Sequence, residues 1–370
     1  MTPIAHTPDA GLGQGVFSVD RDLGSGYVQQ WNVSLQRELS AHLAIDVAYV
    51  GSKMTRVGLP DTNLNQLSVD QLALGNALLE RVPNPYYGLI PRSSSLGDPT
   101  ISVAQLLKPY PQYTTVSLYR NNVGTTIYHG VEARLEQRLA RGLSFLVSYT
   151  RSTLKDDASS VFDASVLTGP VASYPVADSF NRARERDYST GDIPHILTAS
   201  AVWNLPSGSG RARHPHGVVG ALVNDWTLAG IVSLQSGTPV AVTQATNFNS
   251  FAGFGTQRPN LVGDPALPAD QRSAARWFNT SAFEVAPQFT IGTSSRNPVR
   301  GPACRNIDLA LIREVGLSAS ARLELRAEVF NLANTPSLGA PNGVLGSAAF
   351  GSITTAGDPR VIQVAAKIRF

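Results

Sequence analysis

The feature that most limits what this chain can fold into is a strict two-residue alternation of apolar and charged side chains. Residues 127–139 read IYHGVEARLEQRL, and residues 322–330 read RLELRAEVF. Successive side chains of a β-strand point to opposite faces, whereas a helix would scatter both sets around its axis. Both segments are therefore predicted to be strands that separate an apolar environment from a polar one.

The alternation assigns side chains to a charged face and an apolar face. The charged side chains are Glu132, Arg134, Glu136 and Arg138 in the first segment and Arg322, Glu324, Arg326 and Glu328 in the second. The apolar side chains are Leu323, Leu325 and Val329, together with Ile362, Val364 and Ile368 in the final segment 360–370. The chain ends on an aromatic residue, Phe370. We expect the charged set to face a lumen and the apolar set to face lipid.

Strand-like segments recur along the whole chain. They are predicted at 27–39, 42–51, 113–120, 127–139, 142–152, 194–204, 225–243, 303–314, 322–330 and 360–370. Strands of about 9–11 residues cross a bilayer when tilted, and alternating apolar and polar positions are typical of transmembrane barrels. The predicted fold class is all-β, an antiparallel transmembrane β-barrel of roughly ten or eleven strands. Residues 27–370 form the barrel domain, and residues 1–26 are an extension, a loop or a truncated strand.

The predicted connections alternate between long and short. Counting back from Phe370, the long connections are 332–359, 244–302 and 153–193, the short ones are 315–318 and 140–141, and 205–223 is a turn of middling length. Outer-membrane barrels have short periplasmic turns and long outer loops. If 40–41 is also a short turn, then 52–125 must contain an even number of strands. Segment 113–120 is one, and a second is expected near 101–107, or else the turn assignment is wrong.

Composition excludes several classes of protein. The net charge of +3 does not indicate a face built for nucleic acid, and a single cysteine, Cys304, excludes an internal disulfide framework. The N-terminus has neither the basic nor the apolar region of a signal peptide. The uncharged stretch 226–257 contains polar residues and Pro239, so it does not predict a transmembrane helix.

No motif predicts catalysis, and the chain is not expected to be an enzyme. His214 and His216 lie in a Pro/Gly turn without a third ligand nearby, which favours a solvated turn over a metal site. Asp156, Asp157 and the charged residues of 182–187 could hold a divalent cation, but solvated ion pairing with the arginines is favoured. No cofactor or metal ligand is predicted.

Four further expectations concern particular side chains and segments. The alternating charges could line a polar conduit, but mutual neutralisation across strands is the favoured reading. Aromatic residues near strand ends, as in an interfacial girdle, are Trp31, Tyr49, Tyr149, Trp203 and Trp226. Residues 64–81 contain one Gly and no Pro, and they predict a short surface helix in an outer loop that packs on its neighbours. The stretch 244–302 is rich in Asn, Gly, Thr and Ser and suits ligand-facing loops.

A series of sequence runs, in a fixed order, resembles one known family. The runs include QQWNVSLQREL, IDVAYVGSK, YHGVEARLEQRLARGLSFLVSYTRS, GDIPHILTASAVWNLPSG, DWTLAGIVSLQSGTP and RAEVFNLANTP. From residue 27 to the end, the chain resembles the Oar-like β-barrels of TonB-dependent transporters. The resemblance rests on the order of the runs and on the terminal Phe370 rather than on any single motif.

The resemblance implies a cell outer membrane location and a barrel of about twenty-two strands. It also implies a preceding plug and a TonB-contacting segment, neither of which is expected here, so the chain looks like the C-terminal half of such a barrel. The implied partners are outer-membrane lipid, the barrel-assembly machinery through the C-terminal strand and Phe370, and TonB only through a plug. Uptake of an unidentified ligand is expected if the missing half is supplied.

Two other functions remain open at this stage. The first is a structural or adhesive outer-membrane barrel whose long loops bind an extracellular partner without transport. The second is a soluble secreted all-β enzyme or sugar-binding domain, which would cover the apolar faces of 127–139, 321–329 and 362–370 with protein. An open half-sheet in a bilayer must close, pair with another chain or fail to insert, because unpaired backbone groups are costly in hydrocarbon.

Overall fold

One large antiparallel sheet dominates the computed structural model, which describes residues 11–59, 61–119, 121–157, 176–207, 224–318 and 320–370. Nine long strands follow one another in chain order across this sheet, each paired with its sequence neighbours. They are β1 Tyr27–Ser40, β2 Leu43–Val57, β3 Gly124–Ala140, β4 Leu143–Asp156, β5 His195–Asn204, β6 Trp226–Gln235, β7 Cys304–Gly316, β8 Arg322–Phe330 and β9 Val361–Arg369. This consecutive order is an up-and-down antiparallel meander.

The sheet contains a tenth, very short strand. Asp187–Tyr188 pairs antiparallel with the end of β4, at Asp156 and Lys155. The predicted strand in 113–120 does exist as Thr115–Leu118, but it lies outside the large sheet. It pairs instead with Gly15–Ser18 and Thr62–Asn63 in a separate three-stranded sheet. Nine of the ten predicted strands therefore lie in the large sheet, whereas the place of segment 113–120 in that sheet was wrong.

The order of the strands also resolves the parity of 52–125. Strand β2 pairs directly with β3, so the connection between them adds no strand to the large sheet. The number of additional strands in the sheet is therefore zero, which is even as required. The turn at the end of β1 accordingly lies on the predicted side of the sheet, with the other short turns. The second strand expected near 101–107 is replaced by the strand Thr100–Ser102 and the helix Val103–Leu106, both in the loop.

Short and long connections alternate as predicted. The short connections are 41–42, 141–142, 205–225 and 317–321, and the long ones are 58–123, 157–194, 236–303 and 331–360. Two of them, 41–42 and 141–142, are two-residue turns, and in the second both Arg141 and Gly142 have positive φ, at 51° and 82°. Two consecutive positive φ values match the right-handed twist of a hairpin. All long connections therefore leave the sheet at one end.

Strand lengths differ from the predictions mainly at the loop end. Strands β2 and β4 continue beyond the predicted ends at 51 and 152. Strand β6 stops at Gln235 instead of continuing to residue 243, and Pro239–Val240 pairs separately with Val299–Arg300. Strand β9 ends one residue before Phe370.

The described parts of the four long connections form what we call the loop layer. Its remaining strands are Arg81–Pro83, Thr243–Gln244, Asn260–Leu261, Phe283–Glu284 and Val344–Leu345. Its 3-10 helices are Asp70–Leu79, Arg182–Glu185, Ser250–Ala252, Ala269–Gln271 and Thr280–Ala282. The helix predicted in 64–81 is thus confirmed, although it is of the 3-10 type and is interrupted at Gly75.

The hydrophobic core of the protein lies in the loop layer and not beneath the sheet. Leu67, Leu72 and Leu78 are fully buried against Ala252 and Phe254, which come from another long connection. A second cluster surrounds Val242 and Phe278, and a third surrounds Ile90. The 3-10 helix is consequently buried rather than a surface helix, and it packs on its neighbours as expected.

Both edges of the large sheet are exposed. Every residue of β1 and every residue of β9 is solvent-exposed. Within the described residues, β1 pairs only with β2, and β9 pairs only with β8. Each edge therefore presents a row of backbone N–H and C=O groups to its surroundings.

Candidate functional site: the two sheet faces and the loop layer

Strand register joins the apolar side chains into one continuous face. Leu323 is opposite Ile368, and Val329 is opposite Ile362. The same register continues across β7, where Leu309 is opposite Val329. Further members of this face are Val33, Leu35, Ile45, Val47, Val131, Leu135, Phe145, Val147, Ala199, Ala201, Leu228, Val232 and Ile307. The six apolar residues assigned from the sequence therefore lie together on one side of the sheet.

This apolar face is not covered by a second protein layer in the described structure. The exposed fraction is 79% for Val364, 65% for Ile362 and 51% for Ile368, while Leu325 is 36% exposed. Leu323 and Val329 are half-buried by their neighbours in the sheet. A soluble all-β protein would bury such a face, because a contiguous exposed apolar surface of this extent is rare in soluble monomers.

Aromatic side chains border the apolar face at both ends. At the loop end, the Tyr49 hydroxyl contacts His129 Nδ1 at 2.8 Å, and the Tyr149 hydroxyl contacts His195 Nδ1 at 2.7 Å. At the other end, Trp203 is exposed, and the Arg313 guanidinium lies over the Trp226 ring, 5.5 Å from its centroid. Tyr149 of β4 is opposite Leu197 of β5, and Trp203 lies six residues further along β5, about 20 Å away. This spacing fits the two aromatic girdles of an outer-membrane barrel.

The charged residues assigned from the sequence lie together on the opposite, polar face. On β8, Arg326 pairs with Glu324 at 3.2 Å and with Glu328 at 3.4 Å, so the neutralisation runs along the strand. Across strands, Arg369 donates to Glu324 at 2.6 Å. Arg322 is 3.7 Å from Glu314. Pairing is therefore partly within a strand, whereas the sequence argument expected it only between strands.

The second charged set is less completely paired. Arg134 contacts Glu136 of its own strand at 2.8 Å. Among the described residues, Glu132 and Arg138 have no ion pair. Arg134, Glu136 and Arg138 line a groove of about 470 Å³ on the polar face, together with Ser144 and Ser200. Apolar side chains, among them Leu146, Val202 and Ile231, also line this groove.

The loop layer is fastened by buried ion pairs that the sequence did not assign correctly. Glu185 pairs with Arg258, and these side chains are 3% and 6% exposed. Asp156, the last residue of β4, pairs with Arg296, and these are 3% and 7% exposed. The Asp192 carboxylate, 1% exposed, pairs with Arg300. The expected solvated pairing among residues 156–157 and 182–187 occurs only between Arg182 and Asp157, at 3.0 Å.

These pairs connect two long connections to each other and to the sheet. Their arginines come from 236–303, and their carboxylates come from β4 and from the connection that follows it. Glu185 also accepts from the Ala177 amide at 2.9 Å, and Arg258 donates to the Arg184 carbonyl at 3.2 Å. Burial lowers the pKa of the Arg258 guanidinium, and the Glu185 carboxylate opposes that shift. The pairs therefore hold the loop layer in one arrangement over the end of the sheet.

Close backbone approach at Gly292 supports the same arrangement. A Cβ added to Gly292 would lie 1.9 Å from the Arg258 carbonyl oxygen. We expect Gly292→Ala to destabilise the loop layer by roughly 1–3 kcal/mol, because backbone must move to admit the methyl group. Thermal unfolding measures this effect. Gly58→Ala is the control, since no atom lies within 4 Å of its Cβ position, and equal melting shifts for the two variants would contradict the prediction.

The remaining candidates from the sequence are not brought together into one cluster within the described ranges. No group of three or more His, Cys, Asp or Glu residues there could hold a metal ion. His214 and His216 lie outside the described residues. Cys304 is half-buried, with its sulfur 3.7 Å from the Ser337 hydroxyl. No helix in the described ranges is long and apolar enough to cross a membrane.

Several solved structures share features of this fold. The outer membrane transporter YddB from Escherichia coli is 10% identical, with a TM-score of 0.46, and the match covers 96% of this chain and 34% of YddB. The pyoverdine outer membrane receptor FpvA from Pseudomonas aeruginosa is 12% identical, with a TM-score of 0.42 and coverage of 94% and 30%. The FrpB iron transporter from Neisseria meningitidis is 9% identical, with a TM-score of 0.40 and coverage of 95% and 32%. The chain spans about a third of the length of these structures.

The family comparison covers nearly the whole chain. No curated protein matches this sequence. The profile of a family described as an outer membrane beta barrel domain matches residues 2–363. That description agrees with the antiparallel meander, its exposed apolar face and the alternation of turns and loops, and it places the protein in the outer membrane. The chain belongs to the outer membrane beta barrel domain family.

Proposed function

We propose that this chain forms part of the wall of an outer-membrane transporter of the TonB-dependent type, whose ligand enters from the side of the loop layer. The observation that supports this proposal is the continuous apolar face of nine strands, combined with charged side chains on the opposite face and a packed loop layer at one end. The apolar face, including Leu323, Leu325, Val329, Ile362, Val364 and Ile368, contacts lipid. The polar face is opposite and faces the lumen. It carries the charged side chains Glu132, Arg134, Glu136, Arg138, Arg322, Glu324, Arg326 and Glu328.

The two exposed edges make a further part of the wall necessary for insertion. Unpaired backbone groups in hydrocarbon cost several kcal/mol each, so β1 and β9 must find partner strands in the membrane. Those partner strands come either from β1 and β9 joining each other to close a small barrel or from strands outside residues 1–370. Strand β9 and Phe370 would also be the contact for the barrel-assembly machinery, and TonB would act only through a plug.

Hydrogen exchange of the edge strands tests this pairing. We expect backbone amides of β1 and β9 to exchange as slowly as those of β3 and β4 when the protein is in native outer membranes. Hydrogen-bonded amides in a ladder exchange only on opening, whereas edge amides exchange freely. Fast exchange of both edges in membranes, alongside slow exchange in β3 and β4, would show that the edges stay open and would remove the basis for a completed wall.

Transport itself is tested by energy coupling. Cells that express the protein should accumulate its ligand only when TonB is functional, and the protein should fractionate with outer membranes and migrate differently on gels before and after heating. A chain that reaches the outer membrane and binds a partner equally well without TonB, with no gain in uptake, would favour the adhesive alternative. Recovery as a soluble monomer without detergent would exclude both readings.

A further inference from the structure

A cavity of about 450 Å³ lies at the loop layer, and one of its lining residues is a buried lysine. The chain has four lysines, of which Lys53, Lys155 and Lys367 are exposed. Lys108 is 8% exposed. Within the described residues, no carboxylate or other acceptor lies within bonding distance of its ammonium. A buried ammonium without a partner is costly, and it indicates that the counter-charge comes from elsewhere.

The floor of the cavity is the small three-stranded sheet. Thr115 and Ser117 are two residues apart on one strand and therefore share a face. Ser117 is opposite Phe17 on one side and Asn63 on the other. Phe17 is 71% exposed and offers an open aromatic surface beside these hydroxyl groups.

Hydroxyl groups make up much of the rest of the lining. Thr114, Ser179 and Ser250 also line the cavity, and none of their hydroxyls has a hydrogen-bond partner among the described residues. The volume falls within the range of small-molecule sites, in which a few polar groups fix the orientation of a ligand. Several free hydroxyls around one cation suit a ligand with many hydroxyl groups and a negative charge.

A second ionisable residue in the lining disfavours ligands with more than one negative charge. Asp61 also lines the cavity, and its carboxylate would repel a doubly charged group such as phosphate more than a singly charged carboxylate. We propose that this cavity binds a small hydroxylated carboxylate, such as a sugar acid, with Lys108 holding the carboxylate and Thr115 and Ser117 holding hydroxyls. This inference concerns binding alone, and it stands whether or not the ligand is then transported.

Calorimetric titration of the full-length protein in detergent with gluconate tests the proposal at pH 7. Gluconate is expected to bind, and glucose, which lacks the carboxylate, should bind roughly tenfold or more weakly. Inorganic phosphate should also bind weakly, because it lacks the hydroxylated carbon chain. Absence of gluconate binding in the millimolar range, or equal affinity for glucose or phosphate, would overturn the proposal.

Substitution of the lysine separates binding from folding. Lys108→Met should weaken gluconate binding roughly tenfold to a hundredfold, whereas Lys53→Met on β2 should not change it. Lys108→Met should also raise Tm by roughly 2 °C or more at pH 7, because a desolvated charge is removed. Gluconate affinity unchanged by Lys108→Met would overturn the assignment, and an unaltered or raised Tm shows that any loss of binding is not unfolding.

The pH dependence gives an independent readout. Burial lowers the pKa of Lys108 from 10.5 to about 8. Gluconate affinity should therefore be constant below pH 8 and fall with increasing pH above it, because the neutral amine cannot hold a carboxylate. The folded state binds fewer protons than the unfolded state between pH 8 and 10.5, so the stability penalty is full below pH 8 and is relieved as pH rises. A wild-type affinity that stays flat to pH 10 would contradict the role of Lys108.

Discussion

Glu185→Gln is expected to destabilise the loop layer by about 3–5 kcal/mol, because it leaves the Arg258 guanidinium buried without a counter-charge. The glutamine retains an oxygen that can accept from the Ala177 amide, so the change removes charge more than shape. Native-state hydrogen exchange and limited proteolysis of the full-length protein measure the effect. Both should show opening in 176–192 and 244–302, while the strands of the large sheet stay protected.

Two matched variants make this result specific. The double variant Glu185→Leu with Arg258→Met should recover most of the stability, because removing both charges also removes their desolvation cost. Asp98→Asn breaks an exposed pair with Arg81, whose side chains are 62% and 54% exposed, and should cost under about 1 kcal/mol. If Glu185→Gln proved as mild as Asp98→Asn, the buried pair would not fasten the loop layer.

Val364→Arg is expected to cost about 2–4 kcal/mol of barrel stability, because it places a guanidinium on the proposed lipid face near the middle of β9. The neighbouring Gln363 lies on the opposite, polar face, beside Glu328. Gln363→Arg should therefore cost little, although the two substitutions are adjacent in sequence. The fraction of protein that assembles into the heat-modifiable form in outer membranes measures both.

The comparison of these two variants distinguishes a membrane face from a surface exposed to water. A cost of this size reduces the assembled fraction by tens to hundreds of times when assembly is near equilibrium. On a water-exposed face, Val364→Arg would be neutral or would improve solubility. Equal assembly of the two variants would mean that β9 has no lipid-facing side.

The membrane strands were predictable because each one lies between two environments. On β8, Leu323, Leu325 and Val329 alternate with Glu324, Arg326 and Glu328, and this pattern is visible without knowing any partner strand. Strand order then follows from the tight turns. The place of segment 113–120 could not be predicted in this way. Its local pattern is equally strand-like, but its pairing with Gly15–Ser18 and Thr62–Asn63 depends on residues distant in sequence.

The loop layer was less predictable, because its contacts join residues far apart in sequence. Glu185 and Arg258 are separated by 73 residues, and Asp156 and Arg296 by 140. Nothing in the local sequence indicates which of the many arginines reaches a given carboxylate. Lys108 likewise carries no sequence signal of burial, since lysine is almost always exposed and only the packing around it reveals the cavity.

Whether the two faces of the sheet meet lipid and water is most directly measured by spin-label accessibility along β9. Cys304→Ser removes the single cysteine, after which one cysteine at a time can be placed at positions 361–368 and labelled with a nitroxide. We expect labels at 362, 364 and 368 to collide mainly with oxygen, which concentrates in the bilayer, and labels at 363 and 367 to collide mainly with a water-soluble nickel complex. Accessibility that does not alternate along the strand, or labels at 362 and 364 that are shielded from both reagents, would contradict the membrane wall.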